Sequence, residues 1–80
     1  MQNGSDLQAL FERLVAESIE RTKEKYGDAF SGEGRVLECA LDDAYDKGKA
    51  QGYRVFQIED IFLRGDNPLS GYAVVLGPHG

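Results

Sequence analysis

The chain has little of what usually staples or loads a small domain. Its 80 residues hold one cysteine, one histidine and no tryptophan. Cys39 has no partner for a disulfide within the chain, and one Cys with one His does not make a structural zinc set. No segment approaches the roughly 20 apolar residues of a membrane span. The first residues lack the basic stretch and apolar run of a secretory signal. A free thiol and no targeting signal make a cytoplasmic protein the expectation. Basic residues are also scarce: eight acids face five bases in residues 1–40 and six face four in residues 41–80, for a net charge of -5. With no basic patch to neutralise phosphates, direct nucleic-acid binding is disfavoured, and the acidic balance fits either ordinary solubility, the commoner reason, or a partner with a basic surface.

Chains of this length bury a modest share of their surface, with a net stability of about 5 kcal/mol when they fold alone. Without a staple, the core must be efficient or be completed by dimerisation or a partner.

Periodicity then locates the elements. In "SDLQALFERLVAESIERTKEKYG", Leu7, Leu10, Phe11, Leu14, Val15, Ser18, Ile19, Thr22 and Tyr26 recur at three- and four-residue steps. This predicts an amphipathic helix over 6–26, its stripe weakened in the middle by Ser18 and Thr22. Ser5 with Gln8 fits a capping box, and Gly27 fits a left-handed helix end. "DAFSGEG" reads as a linker from which Phe30 folds back onto the core. A second helix is expected from about Gly32–Arg35 to Gly52. Val36, Leu37, Ala40, Leu41, Ala44, Tyr45 and Gly48 form its apolar side. Ala40, Ala44 and Gly48, four apart, would let another element approach closely.

"YRVFQIEDIFLRG" is rich in β-branched and aromatic residues, as strands prefer. Its alternation breaks at Glu59 and Asp60, which suggests a bulge near Gln57–Asp60. "GDNPLSG" signals a turn, and "YAVVLG" completes a hairpin. The expected fold is α+β: two amphipathic helices followed by an antiparallel β-hairpin (ααββ), in one domain over 1–80 with frayed ends at 1–4 and 78–80. A lone hairpin is marginal in water, so pairing of its edge with a second copy is one way to complete the sheet.

The order from "ALDDAYDKG" through "YRVFQIEDIFLRG" to "YAVVLG" resembles the helix and last two strands of dodecins, small flavin-storage oligomers. On that comparison the first helix stands in place of their first strand. With no tryptophan to stack on a flavin, no ligand residue is transferred and no cofactor is expected.

The chemistry-bearing motifs are few. No phosphate-loop pattern is present, since "SGEG" lacks the lysine and follows a helix instead of a strand. Cys39 would need an activating base to act as a nucleophile, and His79 lies in the expected tail. Ser5, Ser31 and Ser70 each have a capping or turn role. Glu59 and Asp60 are the acids of interest for general acid-base chemistry if they are buried. "DDAYDKG" does not follow calcium-loop spacing. No catalytic, cofactor or metal residue is assigned.

What stands out is an acidic row on the second helix. Glu38, Asp42 and Asp46 recur every four residues, Asp43 widens the row, and Tyr45 can anchor its rim. Such a row is the ordinary solvated side of a helix, or it steers a Lys- or Arg-bearing surface. The function expected is a small acidic non-enzymatic protein-interaction module that binds a basic partner through Glu38, Asp42, Asp43, Tyr45 and Asp46. Two alternatives stay open. One is inhibition of a nucleic-acid-binding or defence complex by acidic mimicry, as small phage inhibitors do; the interspersed Lys and Arg weaken it. The other is a small ligand-binding or catalytic domain.

Overall fold

The computed structural model describes residues 4–65 and 71–79, with side chains from Leu7 onward. Five elements follow in order: α1 (Gly4–Tyr26), β1 (Phe30–Gly34), α2 (Leu37–Ala50), β2 (Val55–Leu63) and β3 (Tyr72–His79). The strands form one antiparallel sheet in the order β1-β3-β2. The fold is therefore α+β as expected, but not a simple ααββ hairpin. A third strand, β1, stands between the helices where "DAFSGEG" reads as a linker.

The reason for the misreading is physical. Gly32 and Gly34 serve as strand glycines that admit α2, whereas in sequence they look like loop residues. A Cβ at Gly32 would overlap the Ala40 carbonyl oxygen and the Ala44 nitrogen, and one at Gly34 would sit 2.8 Å from the Ala40 nitrogen. The small stripe Ala40, Ala44 and Gly48 is the other half of this close approach, and all three are buried. Gly48 is required inside α2 because the rings of Phe56 and Phe30 lie on it. Phe30 is buried, as its plug role predicts.

β3 is the centre of the molecule. Ala73 through Pro78 are buried, and the two faces of the strand carry separate clusters. Against α1 lie Ala73 and Val75, packed on Phe11 and Val15 with Ile19 and Phe62. Against α2 lie Val74 and Leu76, packed on Ala40 and Ala44 with Leu41, Tyr45, Phe56 and Tyr72. A strand covered on both faces reads as an apolar run without alternation, which is what "YAVVLG" shows. β3 continues to His79, which pairs with Val55 and sets its ring against Tyr26 at 5.3 Å between centroids.

The helix ends follow local rules. Gly27 and Gly52 adopt φ of +87° and +96°, the left-handed conformation expected just past a helix. α2 ends at Ala50, with the Gln51 N–H bonded to the Gly48 carbonyl and the Gly52 N–H bonded to the Lys49 carbonyl. The Ser5 cap and most of the "GDNPLSG" turn lie outside the described side chains and residues.

The bulge expected near Gln57–Asp60 is present as a register shift between Ile58 and Asp60. It has a consequence for the faces. Before it, Phe56 and Ile58 stand opposite Pro78 and Leu76; after it, Ile61 and Leu63 stand opposite Val74 and Tyr72. The extra residue thus puts Phe56, Ile58, Ile61 and Leu63 on the α2 face and leaves Asp60 and Phe62 on the α1 face.

Candidate functional site

Steps of about 100° per residue divide α2 into three strips. Ala40, Ala44 and Gly48 face the sheet. Leu41 and Tyr45 come next and lean toward β2, where the Tyr45 and Phe56 rings meet at 5.6 Å. Beyond them, Glu38, Asp42 and Asp46 point away from the sheet and are exposed. Among the described residues these three acids make no hydrogen bond or ion pair. Successive members of the row are about 6 Å apart along the axis.

Asp43 is different. Its Oδ2 accepts the Glu33 N–H at 3.2 Å and lies 3.7 Å from Lys47 Nζ, which donates to the Ser31 carbonyl at 2.6 Å. Asp43 and Lys47 therefore tie α2 to backbone groups of β1. The structure separates the predicted partner-binding residues: Glu38, Asp42 and Asp46 form the outward row, Tyr45 lies half-buried at its flank, and Asp43 has an internal partner. Exposed apolar residues lie on the same side of the molecule as α2. Leu37 is exposed at the start of α2, and Ile58, Ile61 and Leu63 are exposed on the same face of the sheet, because α2 lies over β1 and β3 and leaves β2 open.

The α1 face holds a polar cluster that sequence reasoning read only in pieces. Ser18 and Thr22 are fully buried or nearly so. Ser18 Oγ donates to Asp60 Oδ2, and Thr22 Oγ1 donates to the Ser18 carbonyl at 2.7 Å. Arg21 bonds the same Asp60 oxygen at 3.2 Å. Beside them Tyr26 Oη donates to Glu59 Oε2 at 2.7 Å, and Lys25 reaches Glu59 Oε1 at 3.4 Å. The bulge aims both acids at α1. The hydrogen bond to the Glu59 carboxylate, then burial and the Glu59 charge, raise Tyr26 above the ordinary tyrosine value of 10.0. The signal was available in two halves: two hydroxyls one turn apart in an apolar stripe, and an acidic pair interrupting an apolar strand. Each half satisfies the other.

This cluster holds α1 on β2; it is not arranged as a nucleophile with a base. The buried Ser18 hydroxyl donates directly to a carboxylate, with no histidine between them. Cys39 is exposed on α2, whereas His79 stands against Tyr26 on the opposite face of the sheet. A cavity of about 330 Å³ between α1 and the end of β2 is lined by Leu7, Leu10, Phe11, Leu14, Leu63, Arg64 and Gly65, and so includes neither Cys39 nor the two acids. Among the described residues no group of three His, Cys, Asp or Glu side chains converges as a metal set. No described helix is long and apolar enough to cross a membrane.

No family model, curated protein or solved structure matches the chain.

Proposed function

We propose that the chain is a non-enzymatic protein-interaction module that receives a partner with a basic surface on the outer side of α2. The observation that carries this reading is the outward row of Glu38, Asp42 and Asp46, unpaired among the described residues, on the same helix whose fourth acid, Asp43, is paired internally. The helix thus separates structural charge from available charge. Tyr45 and Leu41 supply half-buried apolar contact at the rim, the arrangement in which charges steer and an aromatic anchors. Acidic mimicry is less well supported, because Lys47 and Lys49 on the same helix break the single-signed surface that a mimic presents.

The test is charge reversal at Asp42→Lys with Asp46→Lys. A partner captured by the wild-type chain is titrated against both proteins at low and at high salt. The double variant, with an unchanged circular dichroism spectrum, is expected to bind about tenfold more weakly at low salt. The gap should narrow as salt screens the row. Equal affinity at low salt would refute the role of this row.

A further inference from the structure

The two edges of the sheet are not alike, and the difference points to a second copy of the chain. We propose that β2 pairs edge to edge with β2 of another molecule, joining two three-stranded sheets into one. This goes beyond the basic-partner reading and does not depend on it, since the acidic row of α2 points away from the sheet in either case.

β2 is nine residues long, contains no proline, and has no described strand on its outer side. Natural edges are commonly blocked by shortness, proline, lysine, an inward charge or a bulge, and of these β2 has the bulge and the two acids. β2 carries Glu59 and Asp60, but both are drawn onto α1 by Ser18, Arg21, Lys25 and Tyr26. The bulge interrupts the edge at one position and leaves Val55–Ile58 and Asp60–Leu63 on either side of it. Among the described residues no side chain hydrogen-bonds to the β2 backbone, whereas α2 side chains take up backbone groups of β1.

Exposed aliphatic side chains line both flanks of this edge. On the α2 face Ile58, Ile61 and Leu63 are 48%, 48% and 62% exposed. On the other face Leu10 and Leu14 of α1 are exposed on the side of that helix that carries the Arg21–Asp60 bond. An added strand points alternate side chains to opposite faces, so the occupant must be apolar on both. β2 itself has that character, with the exposed Ile58, Ile61 and Leu63 to one face and the exposed Val55 to the other. A basic amphipathic segment brings only one apolar face.

Nine residues span roughly 30 Å, and side chains reaching about 5 Å to either side of the sheet give a footprint of roughly 300 Å². That is below the roughly 800 Å² per partner of a stable interface, so the association is a weak one that appears at high concentration. Although the chain is acidic overall, Glu59 and Asp60 at the middle of this seam are compensated within their own molecule by Lys25 and Arg21. Two copies related by a two-fold axis therefore bring compensated pairs, not bare acids, to the middle of the seam.

The experiment is sedimentation equilibrium of the full chain from low concentration to about 1 mM. It compares the wild type with Ile61→Lys, Leu63→Glu and, as a control at an exposed aliphatic far from the seam, Val36→Lys. The wild type and Val36→Lys should pass from one chain to two as concentration rises. Each β2 variant should weaken that association at least tenfold while keeping the native circular dichroism spectrum; if Ile61→Lys does not fold, Leu63→Glu decides. A wild type that stays monomeric throughout overturns the proposal. So does a dimer that survives the β2 variants, or one that only Val36→Lys disrupts.

Discussion

β1 and β2 are both edge strands of the same sheet, hydrogen-bonded to the same central strand, and they are finished in opposite ways. β1 is five residues long, carries two glycines, and is overlain so closely by α2 that a single Cβ would strike helix backbone. Its Glu33 N–H and Ser31 carbonyl are taken up by Asp43 and Lys47. β2 is nearly twice as long, bulged and aliphatic, and its polar interruptions are directed onto α1 while its α2 face is left uncovered. The chain closes one edge from within and leaves the other open among the described residues. In a domain of 80 residues that asymmetry is economical, because one helix cannot cover a three-stranded face and α2 is shifted to the β1 side.

The largest effect should come from closing the gap at β1. Gly32→Val places a branched side chain against the α2 backbone, and backbone cannot move aside as a flexible side chain can. A loss of about 3 kcal/mol is expected in urea unfolding, more than half of the stability of a domain this small. Gly48→Ala is the milder version of the same test. There the obstacle is the ring edges of Phe56 and Phe30, and the helix gains about 1 kcal/mol in propensity, so a net cost of about 1 kcal/mol is expected. If Gly32→Val were as stable as the wild type, the close seating of α2 on β1 would be wrong.

A smaller effect sharpens the β2 side. Tyr26 is held protonated by the Glu59 carboxylate, so its pKa in the folded chain lies above the ordinary 10.0 of the unfolded one. A group raised in this way contributes stability in full below pH 10.0 and loses it as pH climbs through the folded value. The wild type should therefore be the more stable protein at neutral pH. Its advantage over Tyr26→Phe should shrink above pH 10.0 as the tyrosinate forms beside Glu59. Urea midpoints for both proteins at successive alkaline pH values would show this, and parallel curves across the whole range would remove Tyr26–Glu59 as the tie between β2 and α1.

How much of this was legible from residues alone varied with the range of the cause. α1, the left-handed Gly27 and the bulge of β2 follow from local periodicity and its interruption. β1 was hidden because its glycines answer to Ala40 and Ala44, which lie on another element. Its complement, the small stripe of α2, was visible and did announce a close neighbour without saying which. The acidic row was legible as a spacing, and Glu38, Asp42 and Asp46 do point outward. Asp43 was marked in sequence by Lys47 four residues on, and that pair forms, but its tie to a β1 backbone N–H is beyond what periodicity can see. Ser18 and Thr22 looked like a flaw in an apolar stripe until Asp60 stood opposite them.

The contrast between a closed and an open edge is tested most directly by amide hydrogen exchange, measured residue by residue at low and high protein concentration. Backbone amides on the outer side of β2 should exchange readily when dilute and become protected as concentration rises, while β1, already served by α2, should show the same protection at both. Exchange in β2 that is indifferent to concentration, or a concentration-dependent change in β1 instead, would contradict the account.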